Sequence, residues 1–340
     1  MSADRSLSRR ALLAGLAGTA LLAGAPRARA QDQKPFRIYM ALFRGFEDAA
    51  QGFQDYLIER GVPVSFVMRN IEQDLTRVPE MVAEIRRLKP DLVLTWGTGL
   101  TVALVGPHDA IDPAKHITEF PVVFMIVSQP LQAKVVADLA RPGRNVTGVN
   151  YLIPEDVQLN FARRYVPFRR LGIVYNPAEQ NAHITVAELK KLAASMTFDL
   201  VESPLPLDAA GRPNAADIPA AIAQLKAAGV EMIYQGPDSF LNELRKDFTE
   251  AAVAQDLPVF AAGEGPVRTG SALMGVVNRY HTVGQLAALR AEQILVGKQK
   301  PGDIAVELPE RFSVIVNIRV AKALKLYPPM PLLKFAEIVR

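Results

Sequence analysis

The chain has no cysteine, one tryptophan and four histidines in 340 residues. Without cysteine there is no disulfide framework, no thiolate metal site and no thiol for a lipid anchor. The histidines, His108, His116, His183 and His281, stand in separate segments without metal-ligand spacing, so no metal is expected. Loops that cradle phosphates or dinucleotides are also missing. Gly97-Thr98-Gly99 has Val102 where the third glycine of a dinucleotide fingerprint belongs, and no Gly-x-x-x-x-Gly-Lys-Ser/Thr run occurs. Around Ser271, Thr269 and Leu273 replace the glycines of a nucleophile elbow. No nucleophile with its base and orienting group is visible, so neither an enzyme nor a resident cofactor is expected.

Surplus charge is scarce too. The whole chain carries 39 Lys+Arg against 35 Asp+Glu, a formal +4. Residues 1–30 hold Arg5, Arg9, Arg10, Arg27 and Arg29 against the single acid Asp4, which leaves 34 charges of each sign in the remainder. A neutral body lacks the electrostatic footprint of a nucleic-acid binder, and none is expected as a partner. Arg9-Arg10, the apolar run Ala11–Ala25 and the small-x-small Ala28-Arg29-Ala30 read as an export signal cleaved after Ala30. The paired arginines after Ser8 resemble a twin-arginine signal; an ordinary secretory signal is the alternative. The run is short of the about 20 apolar residues of a membrane span. The expected location is therefore the periplasm, with no stable membrane insertion after cleavage.

From Phe36 onward, short apolar runs alternate with amphipathic segments. Phe36–Leu42, Val62–Met68, Asp91–Trp96 and Pro121–Val127 read as strands, with helices at Phe46–Arg60, Val78–Leu88, Thr98–Val105 and Leu131–Ala140 between or after them. Leu92-Val93-Leu94 and Val122–Ile126 are apolar on consecutive residues, the mark of parallel strands covered on both faces. A second series follows: strands at Leu171–Tyr175, Thr197–Ser203, Met232–Gln235 and Pro258–Ala262, helices at Ala182–Met196, Ile218–Ala228 and Ser239–Gln255. The tail adds strands at Leu273–Val277, Ile304–Leu308 and Phe312–Asn317 and helices at Thr282–Val296 and Val320–Leu326. The pattern predicts an α/β fold of two doubly wound, Rossmann-like lobes. Residues 36–150 plus 272–302 form the first and 151–271 plus 303–340 the second, with crossings near Asn150, Ser271 and Gly302.

Ligands of open α/β sheets sit beyond the carboxyl ends of the strands, and those ends carry the candidate residues. Phe43 follows the first strand. Trp96 and Thr98 stand at the end of the third; Ser128 and Gln129 follow the fourth. Thr98 and Ser128 fall where helix N-caps belong, so hydroxyls and free backbone N–H groups can seat a carboxylate there. Asn176, Asp238 and Glu264 follow strands of the second series. Asn176 can donate and accept, and Asp238 or Glu264 can pair with an ammonium. Asp238 also suits a plain N-cap, and Glu264 a solvated turn. Phe43, Trp96, Tyr151 and Tyr234 can wall an apolar or aromatic moiety.

Several stretches together resemble the ABC-transporter substrate-binding family of type I periplasmic binding proteins that includes tryptophan- and tyrosine-binding members. They are the run from Val135 through Arg141-Pro142-Gly143-Arg144-Asn145 to Val149, Val174–Pro177 with Glu179, Pro237-Asp238, Pro258–Ala261, Val306–Phe312, Val316-Asn317 and Ala321–Leu324. The resemblance covers about Arg37 to Val339. It implies a three-segment hinge, a small-molecule ligand in the interlobe cleft, contact loops at Thr98, Ser128, Asn176 and Asp238, and a closed form recognised by an ABC permease in the inner membrane. A monomer is usual for such a fold. Two departures stand out: Ser128-Gln129 replaces a common Ser-Asp or Thr-Asp, and Arg144 replaces a glycine. The expected function is solute binding for an ABC importer, with an amino acid or related carboxylate favoured. A ligand sensor partnered with a membrane receptor kinase is the alternative, ahead of an exported α/β hydrolase.

Overall fold

The computed structural model describes residues 34–340; the export-signal reading falls on residues outside these. The first lobe runs β1 (Phe36–Leu42), α1 (Asp48–Glu59), β2 (Val64–Asn70), α2 (Val78–Leu88), β3 (Leu92–Trp96), α3 (Thr98–Val105), β4 (Val122–Val127) and β5 (Val146–Asn150). Its five strands pair in parallel in the order β2-β1-β3-β4-β5. β3 and β4 are buried along their whole length, as unbroken apolar runs require when helices cover both faces. α2 shows how a stripe docks: Val78, Met81, Val82 and Ile85 recur at helical spacing and are its buried residues.

The second lobe runs α4 (Glu155–Tyr165), β6 (Arg170–Tyr175), α5 (Gln180–Met196), β7 (Asp199–Pro204), α6 (Ile218–Ala227), β8 (Met232–Gln235), α7 (Ser239–Glu243), α8 (Arg245–Ala254), β9 (Val259–Ala261), α9 (Glu264–Arg268) and β10 (Met274–Val277). After it come α10 (Tyr280–Leu295), β11 (Ser313–Asn317), α11 (Ile318–Ala323), α12 (Met330–Leu333) and β12 (Glu337–Val339). The second sheet has the order β12-β11-β10-β9-β8-β6-β7. All its pairs are parallel except β10 with β11.

Several expectations need correction. Residues 272–302 do not all join the first lobe, because β10 hydrogen-bonds to β9 and β11 in the second sheet. The chain returns after Val277, and α10 buries Val283, Ala287, Ala288 and Ala291 in the first lobe's core. Ile304 and Val306 belong to that core as well, and Glu307 bridges to Val149 of β5. The crossings therefore lie near Tyr151, Asn278 and Leu308 rather than at Ser271 and Gly302. No strand spans Ile304–Leu308 beyond that bridge. The segment Leu131–Ala140 is a series of turns, not a helix, because Lys134 takes a left-handed φ of +59° that helix geometry excludes. The helix expected over Ser239–Gln255 breaks at Leu244, whose ψ of +21° ends α7 before α8 begins.

α10 reaches the first lobe through a crossing on α1 where two glycines leave no room for side chains. A Cβ on Gly284 would lie 1.9 Å from the Ala49 carbonyl oxygen, and one on Gly52 would lie 2.1 Å from that of His281. This contact ties the returning helix to the lobe that its sequence position had left.

Candidate functional site

Strand order locates the site. In the first sheet, connections run outward in opposite directions from β1 and β3, a topological switch point that opens a crevice at their carboxyl ends. The β10-β9-β8-β6-β7 part of the second sheet repeats that order, with its switch between β6 and β8. Phe43, Arg44, Trp96, Thr98 and Ser128 from the first crevice face Glu179, Asn181, Gln235, Asp238 and Ser239 from the second across one cavity of about 270 Å³. Tyr151 and Tyr280, at two of the crossings, line it as well, their rings edge to face at 5.9 Å.

The first wall is built on hydroxyls and a helix N-terminus. Gly97, at φ +85°, turns the chain from β3 into α3, a conformation glycine adopts without strain. Gly97 is thus the N-cap, and Thr98 is the first helical residue rather than the cap. The Thr98 hydroxyl accepts from the Ser128 backbone N–H at 3.2 Å, and the two hydroxyl oxygens stand 3.3 Å apart. Both side chains are buried. Beneath them Thr101 bonds the Gly97 carbonyl at 2.7 Å and Thr95 at 2.8 Å, which fixes the turn.

Aromatic and cationic groups form the wall beside it. The Arg44 guanidinium lies 4.5 Å from the centroid of the Trp96 ring and bonds Glu47 at 2.9 and 3.2 Å. Burial works against its charge, yet Tyr280 and Glu47 raise its pKa above the ordinary arginine value, so it stays protonated. The Trp96 indole N–H is buried with no hydrogen-bond partner among the described residues, and so is the Gln235 side-chain oxygen on the opposite wall.

The second wall holds two carboxylates on the start of α7. Asp238 is its N-cap: one oxygen accepts from Leu241 N at 2.8 Å, the other from Asn176 N at 2.7 Å. Glu179 accepts from Ser239 N at 3.0 Å and Phe240 N at 3.2 Å, and from the Asn181 side chain at 3.1 Å. Burial, reinforced by the Glu179 charge, raises the Asp238 pKa well above the usual carboxylate range. A cation placed against Asp238 would relieve that burden.

Of the ten residues expected at the site, Phe43, Trp96, Thr98, Ser128, Tyr151 and Asp238 line the cavity, and four stand elsewhere. Tyr234 is fully buried on the other face of β8, stacked on Phe260 at 5.8 Å with its hydroxyl on Gln158 at 3.2 Å. Side chains alternate along a strand, so its neighbour Gln235 faces the cavity instead. Asn176 supports the second wall: its side chain accepts from Ala178 N at 2.9 Å and reaches Glu179 at 3.3 Å. Gln129, at φ +50°, turns its amide to Glu155 of α4. Glu264 is spent on the Tyr280 backbone N–H at 2.7 Å and on Arg268 at 2.9 Å. Arg44, Glu179, Asn181, Gln235, Asn242 and Tyr280 line the cavity and were not anticipated. Charge at a switch-point strand end was the signal that would have found Arg44.

Two α/β lobes with facing switch points and a polar cavity between them are the architecture of the type I periplasmic binding proteins. The protein-family model described as ABC transporter substrate binding protein matches residues 43–339, and the chain belongs to that family. It is a family of binding proteins, not of enzymes, whose partners are small-molecule ligands and permeases. The chain is 25% identical over 284 residues to a tyrosine-binding protein of Clostridioides difficile, covering 82% of this chain and 76% of that one. A conserved domain protein from Vibrio cholerae shares the fold at a TM-score of 0.79 and 23% identity, over 90% of this chain and 100% of that one. An ABC domain from Streptococcus pneumoniae in complex with L-Trp does so at 0.77 and 23%, over the same shares. Among the described residues no helix is long and apolar enough to cross a membrane.

Proposed function

We propose that this chain is the exported solute-binding component of an ABC importer, and that it captures an amino acid or related carboxylate in the interlobe cavity. One observation carries the reading: the two walls are chemically opposite. Thr98, Ser128 and the start of α3 offer hydroxyls and backbone N–H groups, the environment that stabilises a carboxylate. Asp238 offers a buried carboxylate on the facing wall, the environment that stabilises an ammonium. A cavity of about 270 Å³ exceeds the roughly 150 Å³ that holds benzene and falls just below the about 300–1,000 Å³ of drug-sized sites. Phe43, Trp96, Tyr151 and Tyr280 suit an apolar or aromatic side chain between the walls. The tyrosine-binding relative and the L-Trp complex support that ligand class.

In this reading the chain works as a periplasmic monomer after cleavage behind Ala30 and presents its ligand-bound form to an inner-membrane permease. The test is a thermal-shift screen of residues 31–340 against amino acids, carboxylates, purines and sugars. A ligand that binds only the folded chain adds about 2.7 kcal/mol of apparent stability at a hundredfold excess over Kd. A selective shift by amino acids is the expected result. Shifts by sugars or purines alone would overturn the ligand class.

A further inference from the structure

The cavity explains Thr98, Ser128 and Asp238 but not why a buried arginine from one lobe meets an amide from the other. Arg44 is 6% exposed at its side chain. Its flat face covers Trp96, and one edge of the guanidinium is bonded to Glu47. With the Asn242 amide turned oxygen-inward, that oxygen accepts from Nη1 at 3.0 Å and Nη2 at 2.8 Å. Asn242 belongs to α7 of the second lobe. The next residue, Glu243, meets Gln73 of the first lobe. The short helix therefore carries the cavity residues Asp238 and Ser239 at its start and two cross-cleft contacts at its end.

We propose that Arg44 is the latch residue of cleft closure, gripping Asn242 across the cleft while Trp96 and Glu47 hold its guanidinium in place. This rests on the reading of the cavity as the ligand site. A buried charge that loses one partner is strongly disfavoured, whereas the same charge in water is not. Arg44 is therefore stable either solvated in an open cleft or fully engaged in a closed one, and half-closed arrangements are penalised. A ligand held against Asp238 and Ser239 sets where α7 lies, and thereby whether Asn242 reaches the guanidinium. Lysine cannot replace Arg44 here, because the latch uses a planar fork with one edge on Glu47, another on Asn242 and a face on an indole.

The chain has no cysteine, so a Gln73→Cys/Glu243→Cys pair provides two unique thiols. The rate at which a short bis-maleimide joins them reports closure, first without ligand and then with L-tyrosine as probe. Arg44→Ala, Arg44→Lys and Asn242→Ala should each slow cross-linking about tenfold, the scale of one charge-assisted hydrogen bond. The Arg44→Ala/Asn242→Ala double variant should be no slower than either single one, since both remove the same contact. Thermal midpoints measured in parallel separate loss of the latch from loss of fold, and Asn242→Ala keeps the test decisive if Arg44→Ala unfolds. Unchanged rates, or effects that add, would overturn the latch. A parent pair that never cross-links would overturn the closure on which the latch depends. A latch effect with no thermal shift from any amino acid or carboxylate would leave the latch standing and remove the ligand class.

Discussion

The Arg44 guanidinium lies over the indole of Trp96, 4.5 Å from its ring centroid, and Trp96 is the chain's one tryptophan. Emission from the whole protein therefore reports on the cavity wall without a label. Titration with L-phenylalanine or L-tyrosine is expected to give a saturable change in that emission. Ser128→Ala removes one hydroxyl from the wall and should weaken the titration about tenfold, near the value of a single hydrogen bond. An unchanged affinity would place the ligand carboxylate elsewhere.

Asp238 is asked to serve both α7 and a ligand ammonium. Asn can keep the cap on Leu241 N, but its NH2 replaces the oxygen that accepts from Asn176 N, so Asp238→Asn removes the charge at a cost of about 1–3 kcal/mol in stability. Affinity for L-phenylalanine should then fall about ten- to a hundredfold, the range of a charge-assisted hydrogen bond. Affinity for 3-phenylpropionate, the same skeleton without the ammonium, should hardly change. Isothermal titration of both ligands against both proteins checks this, and equal losses would assign Asp238 to structure alone.

Glu179 holds α7 from outside, accepting from Ser239 N and Phe240 N. In Glu179→Gln the oxygen can stay on Ser239 N and Phe240 N, but the NH2 then confronts the Asn181 side-chain amide. The substitution should cost about 1–3 kcal/mol, since buried donors lose an ionised acceptor. Urea unfolding gives the cost. Faster hydrogen exchange at Ser239 and Phe240 than in the rest of the second lobe would localise it to α7.

Much of this architecture is legible in the sequence because burial on both faces writes a plain signal. Leu92–Trp96 and Val122–Val127 are unbroken apolar runs and become central strands. Thr98–Val105 is the expected helix residue for residue. What misled was local chemistry that tertiary contacts override. Met274–Val277 reads equally well as a strand of either lobe, and only its pairing with Val259–Ala261 and Ser313–Asn317 assigns it. The site divides the same way. Trp96, Thr98 and Ser128 follow from strand ends, but Tyr234 and Gln235 are separated only by which face of β8 each occupies, and a four-residue strand carries too little alternation to show it. Tyr280 enters the cavity from a segment distant in the chain, which no local pattern records.

The α1–α10 crossing depends on Gly284, whose missing side chain lets the Ala49 carbonyl approach. Backbone, unlike a flexible side chain, cannot swing aside. Gly284→Ala should therefore destabilise the chain by about 1–3 kcal/mol or more through overpacking. If α10 is what ties the crossings to the first lobe, ligand affinity should fall with stability.

Glu155 gives the fold a pH dependence of definite sign. Its side chain is buried at the start of α4 beside the hinge and bonded to Gln129. Burial pushes its pKa from 4.5 up to about 7, with the charges of Glu188 and Asp156 acting in the same direction and Gln129 against it. A carboxyl with a higher pKa in the folded chain binds its proton more tightly there. Its contribution to stability is fully present below the unfolded value and is lost as pH rises through about 7. Glu155→Gln keeps an acceptor for Gln129 and removes the charge. The variant should be more stable than the parent at about pH 8, by up to about 3 kcal/mol, and the advantage should shrink toward zero near about pH 4, below the unfolded value. Urea unfolding at both pH values reads the difference. An advantage that does not change with pH would mean that Glu155 does not titrate in this range, and that Gln129 and the helix start hold its charge in place.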